Sequence, residues 1–263
     1  NFSHIMGFNE PDHWGPPAYP GGDTLSAGTS PDYFHCSNPV LAQHWQMIVS
    51  NFKKSNPQGT VLSPAMADAG SAASTGDFAS CNGSPQIPPN HMDDCLGWLK
   101  GFKQAVMQLP CGSTNCWDAI DVLQFHAYFY SASDFIAKVK QWESAWADDL
   151  QGTGGRSKKT LWITEFAHAG TTDPADPDGA GRAFMEEAVQ YLQSSPYVSG
   201  WSWFSQDNTT FASFPIGGVT PKAAFWDSSL ISKAGEVTEL GKKYFSLCSS
   251  AESDLRAPAL LTV

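Results

Sequence analysis

Five short, almost continuously apolar runs recur along this chain, each followed by a longer amphipathic stretch. That rhythm constrains the fold more than any other feature. The runs "HIMGF" (4–8), "TVLSPA" (60–65), "AIDVLQFHAYF" (119–129), "TLWITEF" (160–166) and "VSGWSWF" (198–204) read as strands. They lack the apolar/polar alternation of a half-exposed strand, so both faces are expected to be covered, as in a parallel sheet. Residues 39–55, 93–109, 131–150, 179–194 and 238–247 carry apolar positions spaced by three and four, often with Ser or Asp near the start, and read as helices. Five β-then-α units predict a parallel sheet with helices outside it.

The connections point to one end of that sheet. Segments after strand ends (11–38, 66–92, 167–178 and 205–237) are long and rich in Gly, Pro, Ser and Asp, whereas most helix-to-strand segments are short. Site-forming loops at the carboxyl ends of the strands produce this asymmetry in a (β/α) barrel. No interdomain linker interrupts the pattern, so residues 1–248 read as a single domain and 249–263 as a loosely held tail.

Composition excludes several classes. The net charge of −11 argues against nucleic acid or an anionic membrane surface as partner. No apolar stretch reaches the roughly 20 residues that cross a bilayer. The 10 Trp and 16 Phe pack a core and also offer flat faces for uncharged ligands such as sugars. Six Cys and sequons at Asn1, Asn82 and Asn208 suit a secreted protein. Cys111 and Cys116 are placed for a small loop disulfide and Cys81 and Cys95 for a second, among the 15 connectivities that six Cys allow. No CxxC, HxH or HExxH spacing supports a metal site at His91, His126 or His168, and "GTGG" (152–155) precedes a strand instead of opening a helix. No GxSxG elbow is present. No cofactor is expected.

The chemistry-bearing residues gather at strand ends: Asn9 and Glu10 on the first run, His126 and Tyr128 on the third, Glu165 on the fourth, Trp203 on the fifth. A carboxylate ending a buried strand is costly to desolvate unless it is paired or used. Two on one rim supply what glycoside hydrolysis requires, one protonated to serve the leaving oxygen and one ionised to attack or activate water.

In order along the chain, "MGFNEPD", "VLSPAM", "CGSTNCWDAIDVLQFHAYFY", "LWITEFA" and "GWSWF" resemble glycoside hydrolase family 128, a group of clan A retaining glycosidases that includes endo-β-1,3-glucanases. The resemblance spans about residues 4–247. It implies a (β/α)8 barrel, with Glu10 as acid/base, Glu165 as nucleophile and Asn9 bonded to the sugar 2-hydroxyl. It further implies that His126 and Tyr128 orient the nucleophile and that Trp203 floors the cleavage subsite. Trp14, Tyr19, Phe129 and Tyr130 are candidates for sugar stacking, and His168 for lining the cleft. The implied protein is a secreted, monomeric endo-β-1,3-glucanase acting on cell-wall β-glucan. Another β-glycan specificity and a non-catalytic glucan-binding protein are the alternatives.

The same resemblance makes Glu10 the end of strand four. Strands one to three with their helices, roughly 80–100 residues at typical unit lengths, precede that position in the intact barrel. The visible strands are then numbers four to eight, an N-terminally incomplete barrel. Such a chain is expected to be poorly stable and weakly active by itself.

Overall fold

The computed structural model describes residues 2–9, 38–68, 95–168, 179–204, 228–232 and 234–251. Its elements run β1 (His4–Ile5), α1 (Asn38–Ser55), β2 (Thr60–Asp68), α2 (Cys95–Val106), β3 (Pro110–Cys111), β4 (Thr114–Asn115), β5 (Val122–Phe129), α3 (Ala132–Ala145), α4 (Ala147–Gln151), β6 (Thr160–His168), α5 (Ala180–Ser194), β7 (Val198–Trp203) and α6 (Glu239–Ala251). Five strands form one sheet in the order β1-β2-β5-β6-β7, every neighbouring pair parallel. The α/β fold with a parallel sheet is the one expected from the βα rhythm.

One side of the sheet packs on helices. From β5, Phe125 stacks on Trp142 of α3 with ring centroids 4.2 Å apart and an interplanar angle of 11°. From β6, Phe166 meets Phe135 of α3 at 5.3 Å, and Phe135 meets Phe184 of α5 at 5.7 Å. Trp45 of α1 meets Phe102 of α2 at 6.0 Å, and both are fully buried. Aromatic pairs at these angles and distances add to the large apolar area they bury.

The other side is concave. His4 of β1 and Trp162 of β6 have ring centroids 5.6 Å apart, although β2 and β5 lie between their strands. In a flat sheet those strands would stand about 14 Å apart. Curling brings the rings together, and the sheet is a half-barrel. Gly200 of β7 lets the Trp162 ring lie flat on the strand, since a Cβ there would sit 2.7 Å from the indole.

The first strand is shorter than the expected 4–8. Pro64 has no N–H, so the β2 ladder breaks there and its register against β5 shifts between Leu62 and Ala65. Pairing with the first segment resumes only at the isolated bridge Asn9↔Ala65, where Ala65 N donates to Phe8 O at 2.8 Å. The helix expected over 131–150 divides into α3 and α4 at Trp146 (φ −112°). Between α2 and β5, the short β3–β4 hairpin was not foreseen as strands, but the Cys111–Cys116 disulfide that closes it was. Cys81, and with it the Cys81–Cys95 pairing, lies outside the described residues.

Beneath the amino ends of the strands sits an ionic cluster that periodicity does not reveal. Lys159 is fully buried, and its Nζ donates to Trp117 O (2.8 Å) and Ile120 O (2.5 Å). Buried Asp149 accepts from Trp117 Nε1 (2.7 Å) and Lys103 Nζ (2.6 Å), with Arg156 at 3.7 Å. Burial pulls the Lys159 ammonium down to about 8, against the opposing pull of Asp149.

Candidate active site

Strict alternation along β5 sends Phe125 and Phe129 to the helices and His126 and Tyr128 to the concave side. On β6, Ile163 faces the helices, and two residues later alternation alone would send Glu165 the same way. A bulge prevents this. The β5–β6 register moves from Phe125↔Ile163 to His126↔Glu165, and the β6–β7 register from Ile163↔Trp201 to Phe166↔Trp203. Thr164 is thus one extra residue relative to both neighbouring strands. It reverses the alternation and turns Glu165 inward beside His126.

Glu165 is held by two side chains from β5. The Tyr128 hydroxyl donates to Oε2 of Glu165, and Nδ1 of His126 lies 3.4 Å from the same oxygen. The His126 side chain is 2% exposed and that of Glu165 is 26% exposed. The imidazole is therefore locked in the sheet, while the carboxylate reaches the open face. The Tyr128 hydroxyl, bonded to one carboxylate oxygen with the imidazole close beside it, fixes the direction in which the carboxylate points. Tyr128 is steadied in turn by Phe204, whose ring meets it edge-on at 5.8 Å and 80°.

Phe204 is the concave-side aromatic that sequence reasoning missed, and Trp203 was expected in that place. The structure corrects this. Trp203 is 3% exposed, meets Phe166 at 5.1 Å and Phe184 at 6.1 Å, and donates its indole N–H to Ser228 O at 2.6 Å. Its partners put it in the helix-side layer, where it supports β6 from behind and offers no floor to the cleft. The signal was available: consecutive residues at a strand end face opposite ways, so only one of Trp203 and Phe204 can face Glu165. Phe129 is corrected in the same manner. It is buried against Phe135 on the helix side and has no open face for a sugar.

The remaining candidates fall as follows. Asn9 is exposed and bridges by its backbone to Ala65 of β2. Glu10, Trp14 and Tyr19 lie outside the described residues. His168 is buried with Nε2 3.0 Å from Tyr130 O and its ring 5.5 Å from Phe184, so it does not line the cleft with its ring. Tyr130 is exposed at the end of β5. Among the described residues, no group of three or more His, Cys, Asp or Glu could hold a metal ion, and no helix is long and apolar enough to cross a membrane.

The same architecture is found in solved structures. An endo-β-1,3-glucanase of glycoside hydrolase family 128 from Sorangium cellulosum matches with a TM-score of 0.55 at 20% identity, over 92% of this chain and 68% of that one. An exo-β-1,3-glucanase of the family from Aureobasidium namibiae matches with a TM-score of 0.54 at 17% identity, over 92% and 66%. An oligosaccharide-binding protein of the family from Trichoderma gamsii matches with a TM-score of 0.55 at 14% identity, over 95% and 69%. The chain thus spans about two thirds of the length of these neighbours, and at such identities the likeness establishes the fold. No curated protein sequence matches the chain. The profile of the glycosyl hydrolase catalytic core matches residues 1–244, nearly the whole chain. The sequence motifs, the curled parallel sheet and this match agree: the chain belongs to the glycosyl hydrolase catalytic core family.

Proposed function

We propose that this protein is a retaining β-1,3-glucanase, with Glu165 as the nucleophile of a double displacement. The observation that carries the reading is the Glu165 carboxylate, turned inward by the Thr164 bulge and aimed by Tyr128 and His126. In this scheme Glu165 attacks the anomeric carbon while Glu10 protonates the departing glycosidic oxygen. Glu10 then takes a proton from the water that releases the sugar. Asn9 bonds the 2-hydroxyl, and the sheet is the later part of an eight-stranded barrel. Endo action on a cell-wall β-glucan outside the cell is the preferred form. The Cys111–Cys116 disulfide supports an oxidising compartment.

The test is hydrolysis of laminarin followed by proton NMR of the first-formed anomer. Retained configuration is expected, with turnover abolished in Glu165→Gln. An inverted product, or a Glu165→Gln variant as active as the parent, refutes the assignment. A second reading is favoured by the oligosaccharide-binding protein among the structural neighbours. On that reading the chain binds β-glucan without turnover, and Glu165→Gln leaves affinity unchanged.

A further inference from the structure

The proposed function calls for aromatic surfaces beside Glu165, yet Phe129 and Trp203 are spent in the helix-side core. Tyr130 stands differently. It follows the concave-side series Gln124, His126 and Tyr128 by two residues, which places it about 7 Å beyond Tyr128 along the strand direction. The residue is 47% exposed. The other exposed Phe, Tyr or Trp residues whose burial is described are Phe2 at the amino end of the sheet and Phe245 on α6. Tyr130 is thus the described open aromatic ring at the rim where Glu165 lies.

Its backbone is fixed on both sides of one peptide group. The carbonyl of Tyr130 pairs with Nε2 of His168 at 3.0 Å, just past the last β5–β6 register pair, Phe129↔His168. His168 is itself mounted rigidly, 8% exposed and packed on Phe184. The next residue, Ser131, is the N-cap of α3, its hydroxyl accepting from Asp134 N at 3.1 Å. A ring carried on a fixed peptide loses little conformational freedom when a sugar stacks on it, so its contact area is available for affinity.

We infer that Tyr130 is the sugar-stacking residue of the subsite next to Glu165 and that His168 is the positioning residue that holds it there. The ligand class is a β-glucan oligosaccharide, and the inference rests on the proposed function for that class. Tyr130 contributes binding shared by ground and transition states, so its loss raises KM and leaves kcat nearly untouched. In this role His168 acts through the Tyr130 carbonyl, which any N–H donor of similar reach can serve.

The experiment measures laminarihexaose hydrolysis by the wild type, Tyr130→Ala, His168→Leu and His168→Gln, and calorimetric binding of laminarihexaose to each in the Glu165→Gln background. Tyr130→Ala is expected to raise KM and weaken binding about 10-fold, with kcat within about twofold. His168→Leu is expected to reproduce roughly a third of that effect, and His168→Gln, whose amide can donate to the same carbonyl, to restore it. If the wild type hydrolyses the hexamer but Tyr130→Ala lowers kcat alone or changes nothing, the inference is overturned and the proposed function stands. If His168→Leu and His168→Gln behave alike, the positioning role is overturned. Binding without turnover that Tyr130→Ala weakens retires the catalytic reading and upholds the stacking residue. Neither binding nor turnover overturns both.

Discussion

Replacing Lys159 by Met isolates the charge buried beneath the sheet. In the folded protein the Lys159 ammonium titrates at about 8, because burial costs more than Asp149, Asp118 and Asp121 return. In the unfolded chain it titrates near the ordinary 10.5. Below pH 8 both states hold the proton, and the native state carries the net penalty of burying it, about 3 kcal/mol at 1.36 kcal/mol per pH unit. Between pH 8 and 10.5 the unfolded chain keeps a proton that the native protein has released, so stability rises with pH across that window. The neutral amine still donates to the Trp117 and Ile120 carbonyls, so those bonds survive the deprotonation. From pH 7 to pH 9.5 the wild type should gain about 2 kcal/mol relative to Lys159→Met, other titrations cancelling in the difference. Urea unfolding of both proteins at several pH values, followed by circular dichroism, measures it. A wild-type minus variant difference that stays flat to within about 0.5 kcal/mol refutes the reasoning. Asp149→Asn should move the window to lower pH, since Asp149 is the largest influence holding the Lys159 proton on.

Other perturbations test the site and its supports. Tyr128→Phe removes the hydroxyl that donates to Glu165 while keeping the edge contact with Phe204. It should cut kcat on laminarin about 10- to 100-fold, the worth of a hydrogen bond to a charged group. Replacing Cys111 and Cys116 together by Ser opens a loop of sequence separation 5 and should lower unfolding stability by about 2 kcal/mol in denaturant titration, nearly independent of pH. Gly200→Ala would place a Cβ 2.7 Å from the Trp162 indole on the concave floor. Displacing that ring from His4 should cost about 1–3 kcal/mol, visible as a lowered Tm and a shift in tryptophan emission.

How much was legible in the sequence differs between levels of structure, and particular residues explain why. The runs at 60–65, 119–129, 160–166 and 198–204 and the helices between them are set by local apolar spacing, and each appears within a few residues of where that spacing put it. The parallel order of the strands follows from the helical crossovers. The ladder break at Pro64 was also local, since proline removes a donor wherever it stands. The family motifs singled out Glu165, Tyr128 and His126, which the fold brings side by side, because short runs of residues at strand ends preserve a constellation that periodicity cannot describe.

What local spacing could not decide is which way residues face once a ladder is irregular. Counting by twos from Ile163 sends Glu165 to the helices, and only the extra residue Thr164, set by pairing to β5 and β7, brings it to the concave side. The same blindness exchanged Trp203 for Phe204 and opened Phe129 to sugars when the fold buries it. Lys159 shows the limit in its strongest form. Its burial depends on the carbonyls of Trp117 and Ile120 and on Asp149, none of them its neighbours in the chain. The sequence by itself determined the elements and the residue types at the rim, because these follow from short-range sterics and burial. The tertiary structure decided which side chains meet, because register, bulges and long-range desolvation arise only when distant segments pair.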